Sequence, residues 1–230
     1  MPRSAKGGRY HHGDLRAALI DTAVELIGER GVRGFSLAEA SRRLGVAVSA
    51  PYAHFDDRDD LLAAVAVRAF EIFTGALLPE MGTFTGPADR LAAMARAYVR
   101  FAANHRPLFE VLYEAGIDKA RHPEVEVAEQ PLNDAFLDTV RALADGDETL
   151  AEDLATAVEA TARGYAMLLL DDGPDPDPDA VEDAAERTAR AILALIDGRG
   201  LLGQPSWRPV PGTGPAAGRE RQEDRRHRQK

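Results

Sequence analysis

The sequence predicts an all-α protein, and three observations support this fold class. Almost every periodic segment has apolar residues at positions i, i+3, i+4 and i+7, which is the spacing of one helix face. No hairpin dipeptide lies between segments that alternate apolar and polar residues, so no strand is predicted. No internal repeat is found in the 230 residues, a length that suits one domain or a small and a medium one.

The first predicted helix carries one apolar stripe, which Gly31 ends. The stripe consists of Leu15, Leu19, Ala23, Leu26 and Ile27. Ser36 and Glu39 then form an S-x-x-E capping box, whose two side chains bond free backbone amides at a helix start. The second helix is short, because Gly45 ends it after about two turns. A third short helix is predicted over residues 48–55.

A long fourth helix is predicted to begin at Asp57. Two further carboxylates, Asp59 and Asp60, follow in its first turn, where negative charge is favoured by the helix dipole. Pro79 is predicted to end or kink this helix, because proline lacks a backbone donor.

Prolines mark the starts of the next three helices, since proline is tolerated at the first helical position. These helices begin at Pro87, Pro107 and Pro123 and run to about residues 104, 115 and 144, with a kink predicted at Pro131. Two apolar stripes predict the last two helices. They are Leu150, Leu154, Ala157, Thr161, Tyr165 and Leu168, and then Val181, Ala185, Thr188, Ile192 and Leu195.

Charge is distributed unevenly along the chain. The total of 28 basic and 38 acidic residues gives −10, which argues against nucleic acid binding because a duplex requires cations that displace phosphate counterions. Residues 1–55 carry 8 basic and 5 acidic side chains, residues 56–218 carry 14 and 30, and residues 219–230 carry 6 and 3. The three net charges are +3, −16 and +3, which predicts a weakly basic head and an acidic body with separate roles.

The residue types exclude several kinds of site. The chain has no Cys, which excludes disulfides, Cys-ligated zinc, iron–sulfur clusters and thiol nucleophiles. It contains no H-E-x-x-H and no G-x-S-x-G sequence. We therefore predict no metal ion, no cofactor and no enzymatic activity.

No export or membrane segment is predicted. The apolar run at residues 165–170 is far shorter than the ~20 residues of a spanning helix. The N-terminal stretch contains Arg3, Lys6 and Arg9 but no apolar segment behind them. The sequence thus predicts a cytoplasmic protein without a membrane partner.

Two short helices joined at Gly45, behind a longer first helix, are the pattern of a helix-turn-helix. Residues 35–46 read FSLAEASRRLGV, residues 51–55 read PYAHF and residues 58–62 read RDDLL. Together they resemble the DNA-binding domain of the TetR/AcrR family of bacterial transcriptional regulators, over about residues 10–70. Downstream, Gly164 and the apolar run after it resemble part of a Trp-x-x-His-Gly pattern that marks one C-terminal subtype of the family.

The resemblance implies an N-terminal three-helix helix-turn-helix domain joined to a larger helical ligand-binding and dimerisation domain. It further implies a homodimer bound to an inverted-repeat operator in double-stranded DNA, with Tyr52, His54 and Arg58 on phosphates. The predicted DNA-binding residues are Arg9, Ser36, Arg42, Val48, Ser49, Ala50, Tyr52, His54 and Arg58. For Arg42 an alternative is that it stabilises the C-terminal end of its own helix, and for Arg58 that the neighbouring aspartates neutralise it.

Two departures from the family pattern shape the predicted readout of DNA. Ala47 stands where the family usually has a capping Ser. No Lys or Arg occurs at residues 46–54, so this helix offers no bidentate arginine contact to guanine. We predict readout by hydrogen bonds of Ser49, by thymine-methyl contacts of Val48 and Ala50, by DNA shape, and by a basic N-terminal arm.

The acidic body is predicted to hold a ligand pocket and a dimer interface. An aromatic residue at helical spacing is more often core than pocket, so convergence of polar members would be the stronger sign. The predicted pocket residues are Phe73, Tyr98, Phe101, Asn104, Phe109, Tyr113, Arg163 and Met167. The last two helices are apolar over wide arcs, which a four-helix bundle of two copies would bury. The predicted interface residues are Leu154, Val158, Thr161, Tyr165, Thr188, Ile192 and Leu195.

The sequence thus predicts four regions. They are a flexible basic arm over residues 1–12, the helix-turn-helix domain over 13–56, the ligand-binding and dimerisation domain over 57–200, and a disordered tail over 201–230. The predicted function is a ligand-responsive, dimeric, sequence-specific DNA-binding regulator of transcription, a repressor released by an unidentified small molecule. The alternative is an all-helical small-molecule-binding module that has lost DNA binding.

Overall fold

The computed structural model describes residues 12–171 and 176–202, so the predicted arm up to residue 11 and the predicted tail beyond residue 202 lie outside the described residues. Within these ranges helices are joined by short loops and no strand occurs, which confirms the all-α prediction. The α-helices are α1 (His12–Arg30), α2 (Leu37–Leu44), α3 (Arg58–Gly82), α4 (Pro87–Asn104), α5 (Arg106–Glu114), α6 (Pro123–Leu143), α7 (Glu148–Asp171) and α8 (Pro178–Asp197). Two 3₁₀ helices cover Ala50–Ala53 and Arg199–Leu201.

Local capping fixes both ends of α2. The Ser36 hydroxyl oxygen accepts a hydrogen bond from the backbone N–H of Glu39 at 3.2 Å, as one half of the capping box predicts. The Glu39 carboxylate binds Arg30 and Arg42 in place of the predicted bond to the Ser36 amide. Gly45 ends the helix at a φ of 68°, and the backbone N–H of Val46 donates to the carbonyl of Ser41 at 3.1 Å. A left-handed residue at this place is a common helix stop. The predicted start and end of α2 are confirmed.

The third short helix is much shorter than predicted. Of residues 48–55 only Ala50–Ala53 are helical, and their helix is of the 3₁₀ type. Pro51 lies in its first turn without an amide donor, and the Ser49 side chain makes no capping bond, so a longer helix lacks its usual N-terminal support. Residues 46–55, which we name the recognition turn, are anchored instead by the buried ring of Phe55.

Helix α3 joins the head to the body. The Asp57 carboxylate caps it by accepting from the backbone N–H groups of Asp59 and Asp60 at 2.8 and 3.0 Å, which confirms its predicted start. The predicted end at Pro79 is wrong, because the helix continues to Gly82. Buried Met81 holds this last turn against the core, which leaves a kink as the remaining prediction for Pro79.

Helix α4 is central to the body, where it contacts α3, α6, α7 and α8. Small buried side chains let these neighbours approach its backbone closely. Its buried alanines are Ala92, Ala93, Ala95, Ala97 and Ala102. As predicted, Pro87 and Pro123 begin α4 and α6, while Pro107 is the second residue of α5.

One described helix, α3, is long and apolar enough to cross a membrane if only length and composition are considered. Half of its most apolar stretch is buried inside the protein, where it packs against α1, α4, α5 and α6. A core helix passes the same test of length and composition, so α3 is weak evidence for a membrane segment. The sequence-based prediction considered only the short run at residues 165–170.

Candidate functional site

The recognition turn brings together five predicted DNA-binding residues, Val48, Ser49, Ala50, Tyr52 and His54. Val48 exposes 53% of its surface and Tyr52 exposes 56%. Ser49 is exposed and Ala50 is half-buried between them. The turn therefore offers methyl groups and hydroxyl groups to a partner, and no charged side chain.

Arg58 makes several contacts within the head. Its Nε donates to the carbonyl of Phe35 at 3.3 Å, and its Nη2 donates to the carbonyl of Val32. The guanidinium carbon also lies 4.9 Å from the centroid of the Phe35 ring. These two bonds use only part of the five donors of the guanidinium, and Nη1 lies 3.5 Å from Asp59 Oδ1 on a side chain that is 35% exposed. The contact with Asp59 supports the alternative of a neighbouring aspartate, and the phosphate contact stays a prediction. Arg58 thus connects the loop between α1 and α2 to the start of α3. His54, also predicted to contact a phosphate, is half-buried.

Several cations of the head are paired with carboxylates. Glu39 binds Arg30 at 3.3 Å and Arg42 at 2.5 Å. Arg43 forms two hydrogen bonds of 2.7 Å to Glu29, which raise the pKa of Arg43 and lower the pKa of Glu29. Arg42 is still 66% exposed, and its Nη1 makes no hydrogen bond to another described residue, so the pairing with Glu39 reduces the net charge offered to a phosphate but leaves donors free.

Two groups near the start of α2 retain unused donors. The Ser36 hydroxyl accepts its capping bond, so its proton can still be donated. Arg33 is exposed in the preceding loop and has no ion pair with another described residue. Sequence reasoning missed Arg33, although its place between two glycines and just before a capping box was a usable signal. The predicted Arg9 lies outside the described residues.

The body contains a cavity of about 420 Å³ that is partly open to solvent. Its wall combines residues of α3, α4, α5, α6, α7 and α8 and of the connection between α5 and α6. Cavities of roughly 300 to 1,000 Å³ are typical of small-molecule sites. Four of the predicted pocket residues line it, namely Phe73, Tyr98, Tyr113 and Arg163.

The other four predicted pocket residues do not line the cavity. Phe101 and Phe109 pack behind lining aromatic rings at centroid distances of 4.5 and 4.8 Å. Asn104 is exposed at the end of α4, and Met167 exposes 48% of its surface on α7. Helical spacing identifies residues on a common face, but the packing of neighbouring helices decides which of them reach the cavity.

Polar groups meet at one part of the cavity wall. The Tyr98 hydroxyl donates to the Tyr113 hydroxyl at 2.7 Å. The Arg163 guanidinium carbon lies 4.0 Å from the centroid of the Tyr113 ring, and its Nη2 donates to Glu159 at 3.2 Å. Burial raises the pKa of both tyrosines, and the nearby Arg163 works in the opposite direction. Both phenols therefore keep their protons at neutral pH.

A seven-residue segment links the cavity to the head. We name residues 116–122 the connecting segment, since Gly116, Ile117 and Lys119 line the cavity at its start. Near its end, Arg121 Nη2 donates to Asp57 Oδ2 at 2.6 Å and to Asp60 Oδ1 at 3.0 Å. The contact with Arg121 lowers the pKa of the Asp57 carboxyl. The segment therefore contacts the cavity at one end and the start of α3, directly after the recognition turn, at the other. No sequence signal indicated this.

The structure divides the predicted interface residues into two groups. The side chains that it buries inside this one chain are Leu154, Val158, Thr188 and Ile192, so their assignment to a dimer surface is corrected. They pack against neighbouring helices of the same body. Thr161, Tyr165 and Leu195 remain partly exposed. Leu168, on the same face of α7 as Thr161 and Tyr165, exposes 67% of its surface.

Family profiles match both the N-terminal and the C-terminal region of the chain. The profile described as "Bacterial regulatory proteins, tetR family" matches residues 19–65. The profile described as "Tetracyclin repressor-like, C-terminal domain" matches residues 91–192. The chain belongs to the TetR family. A comparison with curated proteins found no match.

Solved structures share the TetR-family fold over most of their length. A protein of unknown function from Rhodococcus sp. RHA1 is 30% identical, with a TM-score of 0.63 over 81% of this chain and 97% of that chain. A regulatory protein of the tetR family from Rhodococcus RHA1 is 17% identical, with a TM-score of 0.64 over 79% and 96%. PfmR, a TetR-family transcriptional regulator from Thermus thermophilus, is 18% identical, with a TM-score of 0.59 over 82% and 99%.

Membership of the TetR family supports a role as a DNA-binding regulator of transcription. In this family context, α2 and the recognition turn form the two elements of the helix-turn-helix. The resemblance seen at residues 35–62 is thereby confirmed, as is the prediction of a helical C-terminal domain.

Proposed function

We propose that this TetR-family protein is a homodimeric repressor that binds an inverted-repeat operator and leaves it when a small molecule fills the cavity. One observation carries the proposal: the connecting segment lines the cavity at Gly116 to Lys119 and binds the cap of α3 through Arg121. A repressor of this kind acts in the cytoplasm, where its operator lies.

The DNA contact rests on the recognition turn. Val48 and Ala50 provide methyl groups for thymine, while Ser49 provides a hydrogen-bonding hydroxyl. Tyr52 and Arg33 are the exposed groups suited to phosphates, and the amides at the start of α2 add to them. Since Arg30, Arg42 and Arg43 are already paired, we expect weak binding by a monomer and a strong dependence on salt.

The response to ligand follows from the position of the connecting segment. A molecule in the cavity has to share space with Ile117 and Lys119. Movement of this stretch changes the contact of Arg121 with Asp57 and Asp60, and with it the start of α3. Because half-site separation on DNA is fixed, a small change in the spacing of two recognition turns lowers operator affinity.

A short and uncharged recognition turn also favours a second candidate, a small-molecule-binding module that has lost DNA binding. Selection from random duplex oligonucleotides with the purified full-length protein at low salt distinguishes the two. The repressor proposal expects an inverted-repeat consensus, with half-sites about one helical turn apart. Recovery of no consensus would assign the protein to the second candidate.

Tyr52→Phe tests the predicted phosphate contact on the selected operator. Loss of one hydrogen bond to a charged group is expected to weaken binding about 10-fold on every duplex sequence. The unfolding free energy is the control, and it should stay unchanged because the side chain is 56% exposed. Unchanged DNA affinity in fluorescence anisotropy would remove Tyr52 from the interface.

A further inference from the structure

The cavity wall is predominantly apolar. About half of its lining residues lie on α3, α4 and α6. Three phenylalanines are among them, Phe70, Phe73 and Phe136, together with Leu91, Met94 and Leu132. Binding of an apolar molecule to this wall is favourable, since the stabilising free energy rises with the apolar area that is removed from water.

The charges of the cavity wall cancel one another. Its ionisable side chains other than tyrosine are Lys119, Glu129, Glu159 and Arg163. Lys119 is ion-paired with Glu129, and Arg163 is paired with Glu159 at 3.2 Å. All four side chains are partly exposed, so breaking one pair costs little by itself. A charged ligand would in addition lose hydration against the apolar wall, which is costly. Paired wall charges therefore favour an uncharged ligand.

Hydrogen-bond donors are in surplus where Tyr98, Tyr113 and Arg163 meet. The two hydroxyls carry two protons, and their mutual bond of 2.7 Å uses one of them. No acceptor for the second proton is found among the described residues. Arg163 Nε is likewise buried without a partner among them. Because burial raises the pKa of both tyrosines, these donors persist, and a ligand oxygen is the group that can satisfy them.

Building on the ligand response proposed above, we infer that the cavity takes an uncharged, mostly apolar molecule with an acceptor oxygen, such as an ester, ketone or lactone. The oxygen lies at Tyr113 and Arg163, while the apolar part contacts the phenylalanines around Phe73. Carboxylate and amine analogues of the same skeleton are bound less tightly.

A matched set of four probes tests this inference on the full-length protein. Methyl phenylbutyrate carries the neutral acceptor, phenylbutyrate is the anion, phenylbutylamine is the cation and butylbenzene has no polar atom. Equilibrium dialysis measures the Kd of each. The ester is expected to bind roughly 10-fold more tightly than butylbenzene, the difference that a well-made hydrogen bond supplies, and more tightly than either ion.

Tyr113→Phe identifies the group that holds the oxygen. The substitution should raise the Kd of the ester about 5-fold and leave the Kd of butylbenzene unchanged. Binding of the hydrocarbon therefore shows whether the cavity of the variant is still folded. Tyr165→Phe removes the same hydroxyl from a ring outside the cavity lining and should alter neither Kd.

Three results would overturn the inferred ligand class. The first is tighter binding of phenylbutyrate or phenylbutylamine than of the ester. The second is equal binding of the ester and the hydrocarbon, and the third is no binding of the ester to the wild-type protein. None of these depends on operator DNA. The repressor proposal fails separately, through the absence of an operator consensus, so the two failures can be told apart.

Discussion

Gly45 determines the turn between the two elements of the helix-turn-helix. Its φ of 68° lies in the left-handed region, which costs a residue with a β-carbon roughly 1 kcal/mol or more. No neighbouring atom would contact a β-carbon built there, so backbone conformation alone selects glycine.

Gly45→Ala is therefore expected to lower the unfolding free energy by about 1 kcal/mol. Gly75→Ala is the matched control, since Gly75 lies within α3 at a helical φ with open space around its β-carbon position. There the same substitution should stabilise the protein by up to about 1 kcal/mol. Urea unfolding of both variants measures the difference, and equal signs of the two effects would contradict the explanation.

Side-chain roles were predictable where the partner is close in sequence. Ser36 and Asp57 cap α2 and α3 as predicted, because each bonds an amide only two or three residues away. Arg58 bonds carbonyls 23 and 26 residues away, and these contacts depend on how the loop after α1 folds back. Arg42 finds Glu39 one helical turn away, a pairing that the i, i+3 spacing allowed but did not require.

The connecting segment is the structural basis of the proposed ligand response. Its Arg121 holds the cap of α3, and His122 beside it is buried with Nε2 3.8 Å from Asp60. A segment fixed at both ends transmits movement better than a free loop, since each displacement has to be accommodated by one of its contacts.

Arg121→Ala should remove a pH-dependent part of the stability. The pKa of Asp57 is lowered in the folded protein, first of all by its hydrogen bond to Arg121. A carboxyl with a lowered folded-state pKa stabilises the protein above its ordinary value of about 4 and loses this effect as pH falls through the folded-state pKa. The difference in unfolding free energy between wild type and variant should be largest at neutral pH and shrink below pH of about 4.

Arg141→Ala is the control for this experiment. Arg141 is also exposed, but its carboxylate partners lie 3.8 and 3.9 Å away, so its loss should change stability little at any pH. In Arg121→Ala, the methyl phenylbutyrate concentration that halves operator binding should also rise several-fold while the Kd of the probe stays the same. A rise in both would place Arg121 in ligand binding and not in the coupling.

The apolar stripe of α7 changes its surroundings along the helix. Leu154 and Val158 are buried by neighbours within the chain, whereas Leu168 is exposed further along the same helix. The spacing of apolar residues along α7 identifies one continuous helix face, but it does not show where the other helices stop covering that face. This is why part of the predicted interface belongs to the core.

Assembly into a dimer is expected to determine operator affinity for the whole molecule. Leu168→Arg places a charge in the proposed interface, so sedimentation velocity should show a monomer, and operator affinity should fall by roughly 100-fold because two linked half-site contacts are lost. Val127→Arg is the control, since Val127 is equally exposed, at 68%, on α6. A dimer of wild-type affinity in the Leu168→Arg variant would exclude this surface.

The sequence by itself determined the helical class, the boundaries set by Ser36, Gly45 and Asp57, and the family. These features rest on periodicity and on contacts between residues a few positions apart. Tertiary structure alone decided which side chains line the cavity and how it is connected to the head. Arg121 and Asp57 are 64 residues apart in the chain, and only the packing of α3 against α6 brings such groups together. The net charge of −10 likewise follows from the sequence alone, whereas the ion pairs between charged side chains depend on the tertiary structure.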